Sequence, residues 1–337
     1  LRRTSDLGPL KLMGLKGGKK AMRAHIKTRV TELADAFPNR PERLFLVGGS
    51  WRAIARIDME RRGYPLHVLH EYRMTPKAVR DTAKYIDKSD LDDLRQRAGV
   101  SSARMELVPH AIEVLREVVK TFHPRDIAIS SYGIREGLLY EQMPQQLRDC
   151  DPLIEACRFA EAKDARLPGY GRLVYDFIRP LFNGARPDRL RIIKAACLLH
   201  DVSWRAHPDY RAEDCFDNAT RANLGGLKHS ERVFLGLALL HRYSNRREGS
   251  RFEDLNALVT ERDEHEAEVL GKAMRFAAMF WLRKDAKLGE LRWRPRKKQL
   301  DLRLSPEAVP LFGEVAEARF RSLATSMDSE PNIILPR

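Results

Sequence analysis

Apolar residues recur every three or four positions through KGGKKAMRAHIKTRVTELADAF (16–37), at Met22, Ile26, Val30, Leu33 and Phe37, which predicts a helix that Pro38 ends. The pattern then changes. Leu44 to Val47 is a continuous apolar run, followed by Gly48-Gly49-Ser50 and then by helical spacing through Ala53, Ile54 and Ile57, so 41–60 reads as buried strand, tight loop and helix. Residues 75–98 are polar and helix-forming, with Ser89 placed to cap DLDDLRQRA through its hydroxyl. ELVPHAIEVLREVVKTF (106–122) is amphipathic, and RDIAISSYGIREGLLYEQM (125–143) repeats the order of strand, turn at Gly133, and helix. Two such repeats predict helices packed over a sheet.

Beyond Cys150 the strand pattern gives way to helical periodicity, in DPLIEACRFAEAKDARL, GRLVYDFIRPLF, LRIIKAACLLHDVSW, HSERVFLGLALLHRYS and EAEVLGKAMRFAAMFWLRK. This change of period divides the chain into an α/β domain over 1–148 and a helical domain over 149–337. Near the end, GELRWRPRKKQLDLRLS (289–305) alternates as a hairpin does, and AVPLFGEVAEARFRSLATSM (308–327) predicts a last amphipathic helix. The fold class expected is therefore α/β plus all-α.

Composition adds the partner. Lys and Arg number 61 against 47 Asp and Glu, a net charge of +14, with 15 against 6 in residues 1–62 and 7 against 2 in 286–303. A surface of this sign concentrates polyanions, whether nucleic acid, nucleotide or polyphosphate, and it is equally the solvated surface of a basic protein. Apolar runs such as 192–199 and 233–240 are far shorter than the ~20 residues a bilayer demands. No membrane partner is expected. The opening from Leu1 lacks the features of a secretory signal, and Cys150, Cys157, Cys197 and Cys215 show no CxxC spacing, which points to reduced thiols and a cytoplasmic location.

Two loops carry candidate chemistry. In VGGSWRAIAR a strand delivers Gly48, Gly49 and Ser50 to a helix N-terminus, where outward N–H groups, the lack of a Cβ and a serine hydroxyl suit an oxyanion. Many α/β turns use glycine only to reverse direction, so the order alone leaves both readings open. In SSYGIREGLLYEQM, Ser130, Ser131 and Gly133 form the turn, and Arg135 and Glu136 open the next helix; an Arg–Glu neighbour pair is equally a structural ion pair. Open α/β sheets collect ligands at such edges.

GPLKLM (8–13), LVGGSWRAIAR (46–56), RAGVSSARMELVPHAIEVLREVV (97–119) and SSYGIREGLLYEQM (130–143) together resemble, in order, the second half of Ppx/GppA phosphatases. The resemblance implies part of an actin-like (ribonuclease H-like) phosphotransferase domain followed by a helical HD-like domain. It makes Gly48, Gly49, Ser50, Arg135 and Glu136 phosphate-binding, with Lys19, Lys20, Arg52, His200 and His229 along a polyanion channel. The family places its catalytic Glu and a DxGGGS loop with metal-binding carboxylates before the GPLRLM-like segment, which stands here at residue 8. The expectation is an amino-terminally truncated chain that supplies one jaw of the cleft, with no catalytic residue and no metal ligand of its own. The whole protein would release terminal orthophosphate from inorganic polyphosphate, or hydrolyse guanosine pentaphosphate, with Mg²⁺ whose ligands lie mainly outside this sequence. The resemblance also implies a homodimer.

AACLLHDVSW places His200 and Asp201 at a helix end, as in the HD signature of metal phosphohydrolases. A working HD site needs a further His on an earlier helix and an Asp on a later one. The earlier helix, PGYGRLVYDF, has no His, and the later one has Ala277 and Ala278. The site therefore reads as eroded, with His229 and His241 as substitute ligands or, alternatively, with His200 and Asp201 hydrogen-bonding each other and their helices. An HD hydrolase and a nucleic-acid-binding module stand as the alternative functions.

Overall fold

The computed structural model describes residues 5–37, 41–244, 252–280 and 288–334. Pro38 and the 281–284 end of the last expected core helix lie outside them. Contacts divide the chain into two units, Leu1–Arg148 and Asp149–Arg337.

The first unit runs α1 (Pro9–Met13), α2 (Gly18–Asp35), β1 (Arg43–Val47), α3 (Gly49–Arg61), β2 (Arg73–Met74), α4 (Pro76–Lys88), α5 (Leu91–Arg97), α6 (Ser102–Met105), α7 (Val108–Phe122), β3 (Asp126–Ser130), α8 (Ile134–Gln142) and α9 (Gln145–Arg148). Its sheet has the order β1-β3-β2, with β1 parallel and β2 antiparallel to β3. A parallel neighbour requires a long crossover, and the segment from α3 to α7 supplies it. Ile54 and Ile57 of α3, Ile112 and Leu115 of α7, and Ile127 and Ile129 of β3 share one apolar cluster. The helical face of α2 behaves as its spacing predicts: Met22, Ile26 and Val30 are buried with Val114 of α7.

Two expectations are corrected in this unit, and one strand was not foreseen. The run Leu44–Val47 is not buried throughout, because β1 is an edge strand with one covered face: Leu46 is buried, while Phe45 and Val47 are 55% and 50% exposed. Ser89 does not cap DLDDLRQRA, since Asp90 accepts the N–H groups of Asp92 and Asp93 and the Ser89 hydroxyl donates to the Tyr85 carbonyl that closes α4. The short strand β2 breaks no visible period and was unforeseen. It is anchored by the fully buried Asp58 of α3, which accepts Tyr72 O–H and Thr82 O–H at 2.6 Å each and pairs with Arg61 at 2.7 Å. Removing one member of so buried a charge cluster typically costs ~3–5 kcal/mol.

The second unit begins with α10 (Pro152–Asp164), α11 (Tyr170–Ile178), α12 (Pro187–Leu199), α13 (Arg211–Arg221), α14 (His229–His241) and α15 (Glu261–Ala277). Every residue of α14 except Ser230 and Glu231 is buried, so it forms the centre of the bundle. Gly271 lets α15 lie against it: a Cβ there would stand 2.7 Å from the Ala238 carbonyl oxygen. β4 (Gly289–Arg294) and β5 (Gln299–Leu304) form the expected antiparallel hairpin, followed by α16 (Glu314–Ser326). A last strand, β6 (Glu330–Ile334), joins β5 in parallel and was not anticipated, because PNII carries no alternation. No helix of the described residues is long and apolar enough to cross a membrane.

Candidate functional site

The two loops leave one sheet edge side by side. In the parallel register of β1 and β3, Val47 is the partner of Ser130, so both chains turn at the same rim. Gly48 makes the first turn with φ 136° and ψ 165°, a conformation that side chains with a Cβ rarely adopt. Its carbonyl accepts the Arg52 N–H at 3.2 Å, the first hydrogen bond of α3. No side chain caps that helix, which leaves the N–H groups of its first turn pointing out over the rim. The Ser50 hydroxyl beside them makes no hydrogen bond among the described residues.

Arginines surround this opening. The Arg104 guanidinium of α6 lies over Gly49, its Nε 3.5 Å from where a Cβ would be. Arg104 is exposed and has no ion pair among the described residues. Arg52 Nη1 donates to the Ser131 carbonyl at 3.1 Å and so ties the start of α3 to the second turn. Ser130 Oγ accepts the Tyr132 N–H at 3.0 Å, and the Tyr132 ring meets His70 edge-on at 4.8 Å.

The second turn ends in a cap. Glu136 reaches back to the Gly133 N–H at 2.6 Å, and its own backbone N–H, followed by that of Gly133, holds its carboxyl below the usual carboxylate range. Arg135 is exposed and forms no ion pair with Glu136. The neighbour-pair reading of the RE dipeptide is thereby corrected: the carboxylate goes to backbone, and the guanidinium stays free among the described residues.

The remaining candidates fall elsewhere. Lys19 pairs with Asp87 at 3.0 Å and approaches Glu113 at 3.9 Å, while Lys20 is exposed on α2. In the second unit, His229 is buried in the first turn of α14 and presents no open wall. His200 and Asp201 do not bond each other. The His200 Nδ1 lies 2.7 Å from the Cys197 carbonyl, and Asp201 accepts Arg166 through its backbone N–H at 3.1 Å and through its guanidinium. Burial acts to raise the Asp201 carboxyl, but the Arg166 hydrogen bonds and His200 hold it below its ordinary value. Among the described residues no group of three His, Cys, Asp or Glu could hold a metal ion. Cys157, Cys197 and Cys215 are buried thiols and Cys150 is exposed.

Arg104 and His70 were missed by sequence reasoning. Each reaches the rim from a different element, and no local spacing announces such a tertiary approach.

The model of the Ppx/GppA phosphatase family matches residues 12–146, and that of the exopolyphosphatase C-terminal domain matches residues 184–332. Solved structures of Aquifex aeolicus Ppx/GppA proteins are similar over part of their length. The type II variant of the phosphatase is 15% identical with a TM-score of 0.34, over 41% of this chain and 48% of that one. A second structure of the Aquifex enzyme is 16% identical with a TM-score of 0.30, over 36% and 39%. A third, of the Aquifex family member, is 15% identical with a TM-score of 0.34, over 43% and 48%. The chain thus spans less than half the length of these relatives. No match was found among the curated proteins. With one family model on each unit, the chain belongs to the Ppx/GppA phosphatase family.

Proposed function

We propose that the Gly48–Ser50 and Ser130–Glu136 turns grip a phosphoryl group of inorganic polyphosphate, or of guanosine pentaphosphate, for hydrolysis of its terminal phosphoanhydride bond. The observation that carries this reading is the Val47–Ser130 register, which sets two polar turns at one rim with Arg52, Arg104 and Arg135 around them. The amides of the first turn of α3 and the Ser50 hydroxyl would donate to non-bridging oxygens, with Arg104 above them. Phosphoryl transfer spreads charge over those oxygens, so fixed donors and guanidinium groups both orient the phosphate and offset that charge. Polyphosphate carries about one charge per phosphate and releases counterions on binding, as a nucleic-acid backbone does.

The rim residues do not fit a resident Mg²⁺. Arg52 and Arg104 flank the two turns, and the carboxylate of Glu136 is engaged by the Gly133 N–H. The actin-like and HD-like assignments belong to this same reading, which rests on the family match.

Titration of polyphosphate at two salt concentrations, in competition with single-stranded RNA, tests the proposal. Ser50→Glu sets negative charge at the mouth of the first turn and is expected to abolish polyphosphate binding. Unchanged affinity in that variant, or equal displacement by RNA, would remove the rim from the site.

A further inference from the structure

The second unit holds an open cavity that the Gly48 rim does not use. Its volume is about 720 Å³, within the roughly 300–1,000 Å³ range of small-molecule sites. One wall is α15, on which Arg262, His265, Val269 and Lys272 recur every three or four residues and so share a face. The rest comes from Leu181 and Phe182 after α11, Trp293 of β4, and Met327 after α16. Leu181, Phe182, Val269 and Met327 are buried, so much of the lining is apolar.

Trp293 stands out among these apolar groups. It is 38% exposed, yet its Nε1 donates to Ser329 Oγ at 3.2 Å. That bond anchors the indole and uses its one polar atom, so the ring offers the cavity aromatic surface only. Another flat ring, offset or edge-on, covers such a surface best.

The charged lining is largely paired off. Lys272 pairs with Glu268 at 2.8 Å, Asp328 with Lys298 at 2.7 Å, and Glu266 approaches Arg189 at 3.8 Å. Arg262 is exposed and has no ion pair among the described residues. It lies in the first turn of α15, the positive end of the helix, where a further anion is favoured.

These features select the ligand. An inorganic polyanion would have to shed water against an apolar wall. A cation would meet Arg262, and a neutral hydrocarbon would leave Arg262 unanswered. A flat ring carrying one carboxylate covers Trp293 and pairs with Arg262.

We propose that this cavity binds a planar aromatic carboxylate, its ring against Trp293 and Val269 and its carboxylate accepting from the Arg262 guanidinium. Residues of the second unit alone build it, so it stands or falls independently of the Gly48 rim.

The test is calorimetric titration of the full chain with 2-naphthoate, 2-naphthalenemethanol and cyclohexanecarboxylate, with thermal melting of each variant. Naphthoate is expected to bind one to one. The alcohol, which lacks the charge, and the cyclohexane acid, which lacks the flat ring, should each bind roughly tenfold more weakly. Arg262→Gln should bring naphthoate and its alcohol to similar affinity, and Trp293→Leu should weaken both by roughly tenfold. Arg262 is exposed, so its variant keeps the fold and remains decisive should Trp293→Leu melt early. Added polyphosphate should leave naphthoate binding unchanged. Absence of saturable binding, equal affinity for acid and alcohol in the parent chain, parental affinity and selectivity in Arg262→Gln, or displacement of naphthoate by polyphosphate would overturn the proposal.

Discussion

Arg52 on α3 donates to the Ser131 carbonyl 3.1 Å away, so one guanidinium joins the helix leaving the first turn to the backbone of the second. Its Nε is buried. The contact fixes the spacing of the two turns as well as contributing charge.

Arg52→Ala should therefore act on both turns. A hydrogen bond from a charged donor is worth about 1.5–3 kcal/mol, and part of that should be lost from folding stability. Faster amide hydrogen exchange at Tyr132 and Gly133, together with weaker polyphosphate binding, is the expected pattern. Weaker binding with unchanged exchange would assign Arg52 to charge alone.

Arg104→Ala separates binding from folding. The side chain is exposed and has no ion pair among the described residues, so urea midpoints should not move. Polyphosphate affinity should fall by roughly tenfold, and the salt dependence should flatten by about one charge. Unaltered salt dependence would place Arg104 away from the polyanion.

Gly48→Ala should destabilise the first unit through backbone strain. At φ 136° a Cβ is disfavoured whatever the space around it, and such strain is of order 1–3 kcal/mol. Chemical denaturation reads this directly, and a neutral substitution would show that the turn relaxes.

Acidification should expose His200. Burial, reinforced by the Arg242 charge, pushes its ring down to about 4 from 6.5. Between those values the unfolded chain takes up a proton that the folded chain refuses. Stability is then full above pH 6.5 and declines as pH falls toward 4. His200→Gln should flatten that part of the curve in denaturation measured from pH 7 to 4.5. An equally steep decline in the variant would assign the titration elsewhere.

Much of this was legible in the sequence because the decisive signals were local. A short apolar run before Gly48-Gly49-Ser50, and another before Ser130, are enough to indicate strand, turn and helix. The hairpin of β4 and β5 follows from its alternation. What escaped depends on partners distant in the chain. Phe45 and Val47 looked buried by type, but burial of a strand depends on whether both its faces are covered. β6 forms because β5 offers a free edge, and PNII carries no pattern that reports this. His200 and Asp201 are adjacent and were paired on that basis. The helix end turns the imidazole to Cys197, while Arg166 arrives from another segment and takes the carboxylate.

Glu136 already occupies the Gly133 N–H that an incoming oxyanion at the second turn would seek. Under the proposed function, loading that turn would be an exchange of one anion for another, in which the helix surrenders its own carboxylate as the guest arrives. α8 has no buried residue to hold it otherwise, so under the proposed function its first turn would be the part of the rim that registers a bound phosphate.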